Sequence, residues 1–433
     1  MKHLATRIHA LALSLTLALA TPAAAQAINQ TITQTVIKQT TLIRGGRVVT
    51  NTGAVLERGD VLFTDGRIVA VAAAITAPPG ARVIDATGAW VTPGVIAAMS
   101  EVGLSEISGS GAPNDASIEG GLISAAADAG RAFDPAASAV AITRLEGVTR
   151  AIIAPDATGT IFSGRGAVVT LDGGADSVYR DRVFEVLELG EVGADRAGGS
   201  RAALWPYLEA ALKDAREYPA RYVSGQGGAV LDEIDAAALK PFALGQGFFL
   251  VRAERASDIR ALIAFKRANP ALRFVIHGGA EAWIVAGEIA RANIPVILDP
   301  MVNLPDRMEK LAARLDNAAL LQRAGVTIVI APSPGTVDAQ QARLVLQLAG
   351  NAVANGLPWD AAFAAISSAP ARVFGVGGEL GALQAGRVAD VVIWDGDPLD
   401  VMSAPVSVFI AGAEMAPVSR QTRLRDRYTP VHR

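Results

Sequence analysis

The sequence predicts an α/β fold, in which strands near both chain ends flank a long middle region of alternating strands and helices. Between Thr41 and Val91, short apolar runs are separated by turn signals, and the same pattern returns from Val388 to Ile410. Between Thr92 and Pro370, short apolar runs alternate with helical stretches. These observations predict a parallel sheet covered by helices, and a small β-sandwich made from both chain ends.

The first strand-rich region contains five short runs that favour β-structure. An Asp65-Gly66 pair between two of these runs is a strong hairpin signal. We therefore expect a small antiparallel sheet here. The predicted strands are 42–43, 47–49, 60–63, 67–71 and 82–84.

In the middle region, short strand-like runs alternate with helical stretches of the lengths expected for a parallel sheet covered by helices. Such a sheet is either doubly wound or closed into a barrel. Its helical stretches include 256–268 and 280–291, and two glycine-rich stretches, 108–121 and 190–199, are predicted as loops. Examples of the predicted strands are 151–153, 247–251, 274–276, 295–298 and 327–330.

The C-terminal strands, 388–394 and 406–410, predict that the chain returns to the sheet formed by its N-terminal part. We expect a composite β-sandwich domain made of residues 38–91 and 376–420, with residues 92–375 forming the central α/β domain.

The chain begins with the layout of a secretory signal peptide. Lys2 and Arg7 precede an uncharged run from Ile8 to Ala20, and Ala23-Ala24-Ala25 supplies a cleavage site. A membrane anchor is the alternative, but the run is shorter than the roughly 20 residues that cross a bilayer. We expect residues 1–25 to be removed from an exported protein, periplasmic or secreted, that has no membrane span afterwards.

Composition excludes several classes of function. The formal net charge is -3 and no dense lysine or arginine cluster is present, so nothing indicates nucleic-acid binding. Cysteine is absent, which excludes disulfides, thiolate metal ligands and cysteine nucleophiles. Neither a Gly-x-Ser-x-Gly elbow nor a phosphate-binding loop occurs. The expected partners are small molecules or proteins.

Two motifs lie at the borders of the predicted barrel. The first is the phrase Trp90-Val91-Thr92-Pro93-Gly94-Val95-Ile96, and the second is residues 380–394 with Gly396-Asp397-Pro398-Leu399, preceded by a helix at 370–375. Both resemble the amidohydrolase superfamily, in which the first leads from the sandwich into the first barrel strand and the second returns the chain to the sandwich. Further motifs resemble the imidazolonepropionase-like branch. These are 147–149 with 161–164, and 278–283 with 294–298.

The resemblance implies a TIM-like (β/α)8 barrel at 92–375 with a discontinuous β-sandwich from both chain ends. It also implies hydrolysis of amide or cyclic amide C–N bonds, though not of ordinary peptide bonds, by divalent metal such as zinc at the barrel mouth.

The metal-binding residues of the family are largely replaced. Met99 and Glu101 stand where the family has its first two histidines, and Arg252 stands at the place of the histidine after strand five. His277 matches the histidine after strand six. The aspartate expected after strand eight is missing from Ala331-Pro332-Ser333-Pro334, and Asp338 lies too far along to be its equivalent.

The candidate catalytic residues are therefore His277, Glu101 and Arg252, of which His277 and Glu101 are the weak candidates for metal ligands. After signal removal only His277 and His432 remain, so a multi-histidine centre is excluded within one chain. Because Arg252 has no lone pair and repels cations, the residues favour no bound cofactor, although the resemblance implies a divalent metal.

Two functions stay open at this point. One is a hydrolase with a single weak metal or none. The other is a pseudoenzyme. Such a protein binds a small molecule, which carries a carboxylate in one interpretation, or it acts as a partner subunit. The partner subunit belongs either to a homo-oligomer or to a hetero-oligomer with an intact relative. His277 is interpreted either as a ligand-binding group or as a strand-end imidazole bonded to a neighbour.

Three further expectations concern the barrel mouth. Glu101 and Arg252 are predicted to form an ion pair in place of the metal. Asp299 and Asp306 are interpreted mainly as the start of a loop, with a binding role as the alternative. Ser163-Gly164-Arg165 is predicted to be a turn that could otherwise approach a ligand.

Overall fold

The computed structural model describes six stretches of the chain: 40–53, 55–106, 114–121, 123–223, 227–333 and 341–429. The expected signal peptide at residues 1–25, together with Asp338 and His432, lies outside these described residues. Within them, no helix combines the length and apolar character that a bilayer span requires.

The strands are numbered in chain order. They are β1 (Thr41–Val49), β2 (Val55–Thr64), β3 (Arg67–Ala72), β4 (Arg82–Asp85), β5 (Trp90–Pro93), β6 (Val95–Ser100), β7 (Ser117–Ile118), β8 (Val148–Ile153), β9 (Asp156–Ala157), β10 (Phe162–Thr170), β11 (Val178–Glu188), β12 (Phe248–Ala253), β13 (Phe274–Gly278), β14 (Val296–Leu298), β15 (Ile328–Ile330), β16 (Val391–Trp394), β17 (Pro405–Ile410) and β18 (Ala413–Glu414).

The α-helices follow the same numbering, and short 3-10 helices lie at Ala282–Val285, Met308–Lys310 and Ala342–Leu344. The α-helices are α1 (Ala129–Ala132), α2 (Ser138–Leu145), α3 (Glu191–Arg196), α4 (Arg201–Glu217), α5 (Ala220–Val223), α6 (Glu233–Ala243), α7 (Ala256–Ala268), α8 (Ala286–Ala292), α9 (Asn317–Arg323), α10 (Val345–Ala354), α11 (Trp359–Ala365), α12 (Ser368–Val373) and α13 (Arg420–Tyr428).

A nearly closed, 8-stranded barrel sheet forms the centre of the fold, in the order β6-β8-β10-β11-β12-β13-β14-β15. Alternate residues of its strands point inward, as the two-residue period of a strand requires. Phe184 packs against Phe248 and Phe374, and with neighbouring aliphatic side chains these rings fill the barrel interior. The opposite faces of the strands pack under the helices. This confirms the predicted α/β barrel.

One part of the barrel departs from the expected strand and helix alternation. Strand β10 is antiparallel to both β8 and β11, whereas β11 to β15 run parallel to one another. The connections 154–161 and 171–177 are shorter than the dozen or so residues that a parallel crossover needs, so the chain turns back as hairpins.

The composite sheet joins the two chain ends, in the order β18-β17-β16-β5-β1-β2-β3 with β4 also paired to β1. The prediction of one β domain built from both ends is therefore confirmed. The expectation that its N-terminal part is wholly antiparallel was wrong, because β4 and β5 both run parallel to β1. A long connection after β3 allows β4 to run in the same direction as β1, whereas a hairpin would reverse the direction of the chain. The boundaries at 91/92 and 375/376 stay predictions.

A buried ion pair connects the composite sheet to the barrel. On β8, Arg150 donates from Nε to Asp390 Oδ2 at 2.7 Å and from Nη2 to Asp390 Oδ1 at 3.1 Å. Asp390 immediately precedes β16 and also accepts from the Ala411 amide at 2.8 Å. The Arg150 guanidinium lies 4.8 Å from the centre of the Tyr179 ring. The C-terminal part of the composite sheet is thereby tied to the N-terminal end of the barrel.

Three local predictions need correction. The stretch 190–199, predicted as a loop, contains helix α3. The described part of 108–121 contains β7, which pairs with β9. Residues Ser163-Gly164-Arg165 lie within β10 instead of forming a turn, because Gly164 adopts a φ of 104° at a bulge opposite β11 and the strand continues through it.

Candidate functional site at the barrel mouth

Three adjacent parallel strands end in polar side chains at the C-terminal mouth of the barrel. Glu188 ends β11, while Arg252 and His277 lie near the ends of β12 and β13. Glu188 is the register partner of Arg252, and Arg252 is the partner of His277. We call these three residues the barrel-mouth row. In barrels of this kind, polar groups at the carboxyl ends of strands form the functional site.

Arg252 holds two carboxylates at the centre of the mouth. Its Nη1 donates to Glu188 Oε1 at 2.7 Å and to Asp156 Oδ1 at 3.0 Å. Burial alone would lower the pKa of Arg252, but Glu188 and Asp156 together raise it. The guanidinium is therefore permanently charged, and its positive charge occupies the space between the ends of these strands.

A second arginine supports the same carboxylates from helix α3. Arg196 Nη1 donates to Ser163 Oγ at 2.9 Å and to the Ala157 carbonyl at 2.8 Å, and Arg196 Nη2 lies 3.7 Å from Asp156 Oδ1. Ser163 Oγ in turn lies 3.4 Å from Glu188 Oε1. Ser163, expected in a turn, thus reaches the site because antiparallel β10 begins at the mouth.

His277 is a buried, neutral imidazole. Its Nε2 lies 3.3 Å from the Pro332 carbonyl oxygen, so Nε2 carries the proton and donates it. Burial and the neighbouring charge of Arg252 lower the pKa of His277 to about 3. Its buried Nδ1, which carries the lone pair, has no hydrogen-bond partner within the described residues. The Pro332 contact agrees with the interpretation as a strand-end imidazole bonded to a neighbour, and a ligand-binding role of His277 stays a prediction.

The first barrel strand, β6, and the residue that follows it contribute fewer contacts to the site than the sequence predicts. Met99, at the end of β6, has a φ of 53°, a left-handed conformation that costs a non-glycine residue about 1 kcal/mol. Glu101 is half-buried, and burial together with Asp156 raises the pKa of its carboxyl group, an effect that Arg252 partly opposes. No ion pair joins Glu101 to Arg252 within the described residues, so that prediction was wrong. Glu188 and Asp156 lie closer to the guanidinium and neutralise it instead.

A cavity of about 490 Å³ opens at this mouth, in front of Asp156, Glu188 and Arg252. The segment after β14 forms its far wall, from Met301 to Lys310. Each carboxylate of the lining has a cationic neighbour. Glu254 and Asp306 lie 3.8 and 3.4 Å from Lys310 Nζ, and Glu309 accepts from Arg201 at 3.0 Å. Within the described residues, the side chain of Arg307 has no ion pair.

Asp299 organises the start of that wall, as the loop-start interpretation expects. Its Oδ1 accepts from the Met301 amide at 2.9 Å, and its Oδ2 accepts from the amide and hydroxyl of Ser333 at 3.1 and 3.0 Å. Asp299 thereby connects the ends of the seventh and eighth barrel strands. Asp306 lies further along the wall and pairs with Lys310.

Two residues of the site, Glu188 and Asp156, were not identified from the sequence. Glu188 follows the run 183–187, which is apolar except for Glu185, and a carboxylate at the end of such a run signals a strand end at the barrel mouth. Asp156 follows the apolar run 151–153 in the same way. Both signals are visible once antiparallel β10 is recognised as separating these two strands.

The residues of this mouth do not fit the divalent metal that the superfamily commonly uses. The described residues include no group of three or more His, Asp or Glu side chains arranged to hold an ion. The two nearest carboxylates are bound to a guanidinium at 2.7 and 3.0 Å. A dication about 4 Å from that charge would be repelled by several kcal/mol even at an effective dielectric near 20.

Comparisons with known proteins agree with the fold. Residues 288–419 match the sequence profile of the Amidohydrolase family. No curated protein sequence matches the chain. An amidohydrolase from Thermotoga maritima superposes with a TM-score of 0.77 at 22% identity, over 87% of this chain and 99% of that one.

Two further solved structures share the fold at lower similarity. Molinate hydrolase gives a TM-score of 0.55 at 17% identity, covering 91% of this chain and 97% of that one. The N-acyl-D-glutamate deacylase of Bordetella bronchiseptica, solved with zinc and a phosphonate inhibitor, gives 0.50 at 17% identity, over 88% of this chain and 97% of that one. The matched segment at residues 288–419 and these solved structures show that this chain has the fold of the amidohydrolases.

Proposed function

We propose that this protein binds a small carboxylate-bearing molecule at the barrel mouth and does not hydrolyse it by metal chemistry. The observation that carries the proposal is the placement of Arg252, whose Nη1 lies 2.7 Å from Glu188 and 3.0 Å from Asp156. A permanent cation thus stands among the side chains that would have to surround a metal.

The chemistry of the barrel-mouth row supports loss of the hydrolytic site. A catalytic zinc normally has three protein ligands and one open position for water. Here His277 could offer one nitrogen, but Glu188 and Asp156 are engaged by Arg252. Without a metal, the row lacks a strong base to generate hydroxide, because burial and Arg252 lower the pKa of His277 to about 3 and its Nε2 proton is donated to the Pro332 carbonyl.

The charges around the cavity support an anionic ligand. Every carboxylate in its lining has a basic neighbour, whereas Arg307 has no ion pair within the described residues, and the buried Nε of Arg252 has no hydrogen-bond partner there. A guanidinium presents planar N–H donors that match a carboxylate. A cavity of about 490 Å³ is in the range that takes small molecules.

The test is calorimetric titration of the protein with acetate, butyrate and succinate, each compared with the corresponding amide. We expect the carboxylates to bind and the amides not to bind, and Arg252→Gln to weaken binding at least tenfold, since charge-assisted hydrogen bonds contribute about 1.5–3 kcal/mol. Arg260→Gln is the matched control, because Arg260 is 52% exposed and pairs with Glu288 at 3.0 Å, and it does not line the cavity.

Two results would overturn the proposal. One is equal binding of amides and carboxylates. The other is amide hydrolysis by purified protein that depends on a bound metal and is lost in His277→Gln, which would establish a metal-dependent hydrolase.

A further inference from the structure

The segment 299–311, which forms the far wall of the cavity, has an unusual distribution of polarity. Two of its charged residues, Glu309 and Lys310, are buried, with 4% and 8% of their surface exposed, whereas Asp306 and Arg307 are exposed. Four of its apolar residues are exposed as well. The exposed fractions are 43% for Met301, 75% for Leu304, 76% for Met308 and 62% for Leu311. Charged residues are rarely buried unless paired, and exposed apolar clusters mark binding surfaces.

Specific contacts hold this segment in its inverted arrangement. Glu309 Oε2 accepts from Arg201 at 3.0 Å and from the Glu191 amide at 2.8 Å. The Ala312 carbonyl, just beyond the segment, accepts from Trp283 Nε1 at 2.8 Å. Because the buried polar groups anchor the backbone from behind, the apolar side chains are directed away from the barrel by the fold itself.

Part of this apolar surface faces the proposed ligand site. Met301, Val302 and Leu304 line the same cavity as Arg252 and Arg307. One cavity therefore has cationic N–H donors and an apolar wall. We propose that this wall, Met301, Val302 and Leu304, binds the hydrocarbon part of an amphiphilic carboxylate whose head group is held by Arg307 and Arg252. This inference rests on the proposed function and names the class of ligand.

The proposal predicts how affinity changes with chain length. Burial of one methylene contributes about 0.8 kcal/mol, equivalent to a factor of about four in affinity when burial is complete. Across acetate, butyrate, hexanoate and octanoate, we expect calorimetry to give affinities that rise about two- to fourfold per methylene. Hexylammonium, with the same tail and a cationic head, should not bind.

Substitutions separate the tail from the head group. Met301→Gln combined with Leu304→Asn should remove most of the chain-length dependence, so that the affinity for octanoate falls far more than the affinity for acetate. Met402→Gln is the matched control, because Met402 is 86% exposed and lies outside the cavity lining. Arg307→Gln should lower the affinity of every carboxylate by a similar factor, about tenfold.

The outcomes distinguish this inference from the function on which it rests. If carboxylates bind with the same affinity at every chain length, the apolar subsite is disproved and the anionic site remains. Binding of hexylammonium as tightly as hexanoate also disproves it. If the protein is a dimer that Leu304→Asn dissociates, and its affinity for carboxylates does not depend on chain length, then the apolar wall is a surface for protein contact and the proposal is wrong. If no carboxylate binds at all, the proposed function fails first.

Discussion

Two buried arginines at opposite ends of the barrel show different relations to their surroundings. Arg150, near the N-terminal end, forms a two-point ion pair with Asp390, and the side chains are 4% and 6% exposed. Arg252, at the mouth, touches two carboxylates through one nitrogen, is 16% exposed, and keeps a buried Nε without a partner in the described part of the chain. The first pair is complete within the protein, whereas the second leaves donors beside a cavity.

The number of hydrogen-bond donors left without a partner distinguishes a structural ion pair from a binding site. A buried pair with all its hydrogen bonds made leaves nothing for a ligand, and removing one partner leaves an uncompensated charge. Removing an arginine that lines a cavity costs less stability where water can reach one of its partners, and such an arginine can also bind an anion.

Removing the C-terminal strands should have the largest effect. A chain ending at Gly375 loses β16, β17 and β18, exposes the edge of β5, and leaves Arg150 without Asp390. Exposed apolar strand edges promote aggregation, so we expect an insoluble product. A soluble fragment with a cooperative unfolding transition would show that the barrel does not need the composite sheet.

Breaking the N-terminal ion pair should have the next largest effect. Arg150→Met should lower the free energy of unfolding by about 3–5 kcal/mol, because Asp390 is left buried and unpaired. Adding Asp390→Asn should recover part of that loss, since it removes the charge and retains an acceptor for the Ala411 amide. The measurement is denaturant unfolding of both single variants and the double variant. Additive effects would mean that the pair is not coupled.

The pH dependence of stability should contain a contribution from His277. Burial and the charge of Arg252 lower the pKa of His277 from the usual 6.5 to about 3 in the folded protein. Because the folded pKa is lowered, only the unfolded chain takes up this proton as the pH falls below about 6.5, and stability decreases from there down to about pH 3. Between pH 7 and 5 this group should remove about 2 kcal/mol.

The substitution His277→Gln should abolish that part of the pH dependence, since its amide can still donate to the Pro332 carbonyl but does not titrate. Urea unfolding of both proteins at pH 7 and pH 5 measures the difference. Equal losses of stability in the two proteins would mean that His277 does not have the lowered pKa.

Removing Arg252 should have the smallest effect on stability. Arg252→Gln should cost about 1–2 kcal/mol, less than Arg150→Met, because the glutamine amide retains an N–H donor for the buried Glu188, and Asp156 is 39% exposed, so water can replace its lost donor. Thermal unfolding with Arg260→Gln as the control compares the two positions. A loss as large as that of Arg150→Met would erase the distinction between the two arginines.

The sequence predicted the architecture better than the site. Strong periodic segments were found with close bounds, and the helix at 256–268 coincides with α7. The antiparallel β10 was missed, although the connections on either side of it are too short for crossover helices. That error also concealed how Glu188 and Asp156 approach each other.

The partner of Arg252 was beyond the reach of sequence patterns. Glu101 was chosen because resemblance places it near a shared metal, but ion pairing depends on distances within a few ångströms across strands. Glu188 is the register neighbour of Arg252 on the adjacent strand, and its carboxylate therefore lies within hydrogen-bond distance of the guanidinium. The sequence also did not indicate that Glu309 and Lys310 are buried, because the polar and apolar residues of the segment 299–311 follow neither a helical nor a strand period.

The most direct test of the account is the zinc content of the wild-type protein and of Arg252→His after zinc loading and removal of excess metal. We predict far less than one equivalent in the wild type. The variant should gain close to one equivalent, because a histidine at this position completes a three-ligand set with Glu188 and His277 on adjoining strands. A full equivalent of zinc in the wild type that is lost in His277→Gln would contradict the claim that Arg252 has replaced the metal.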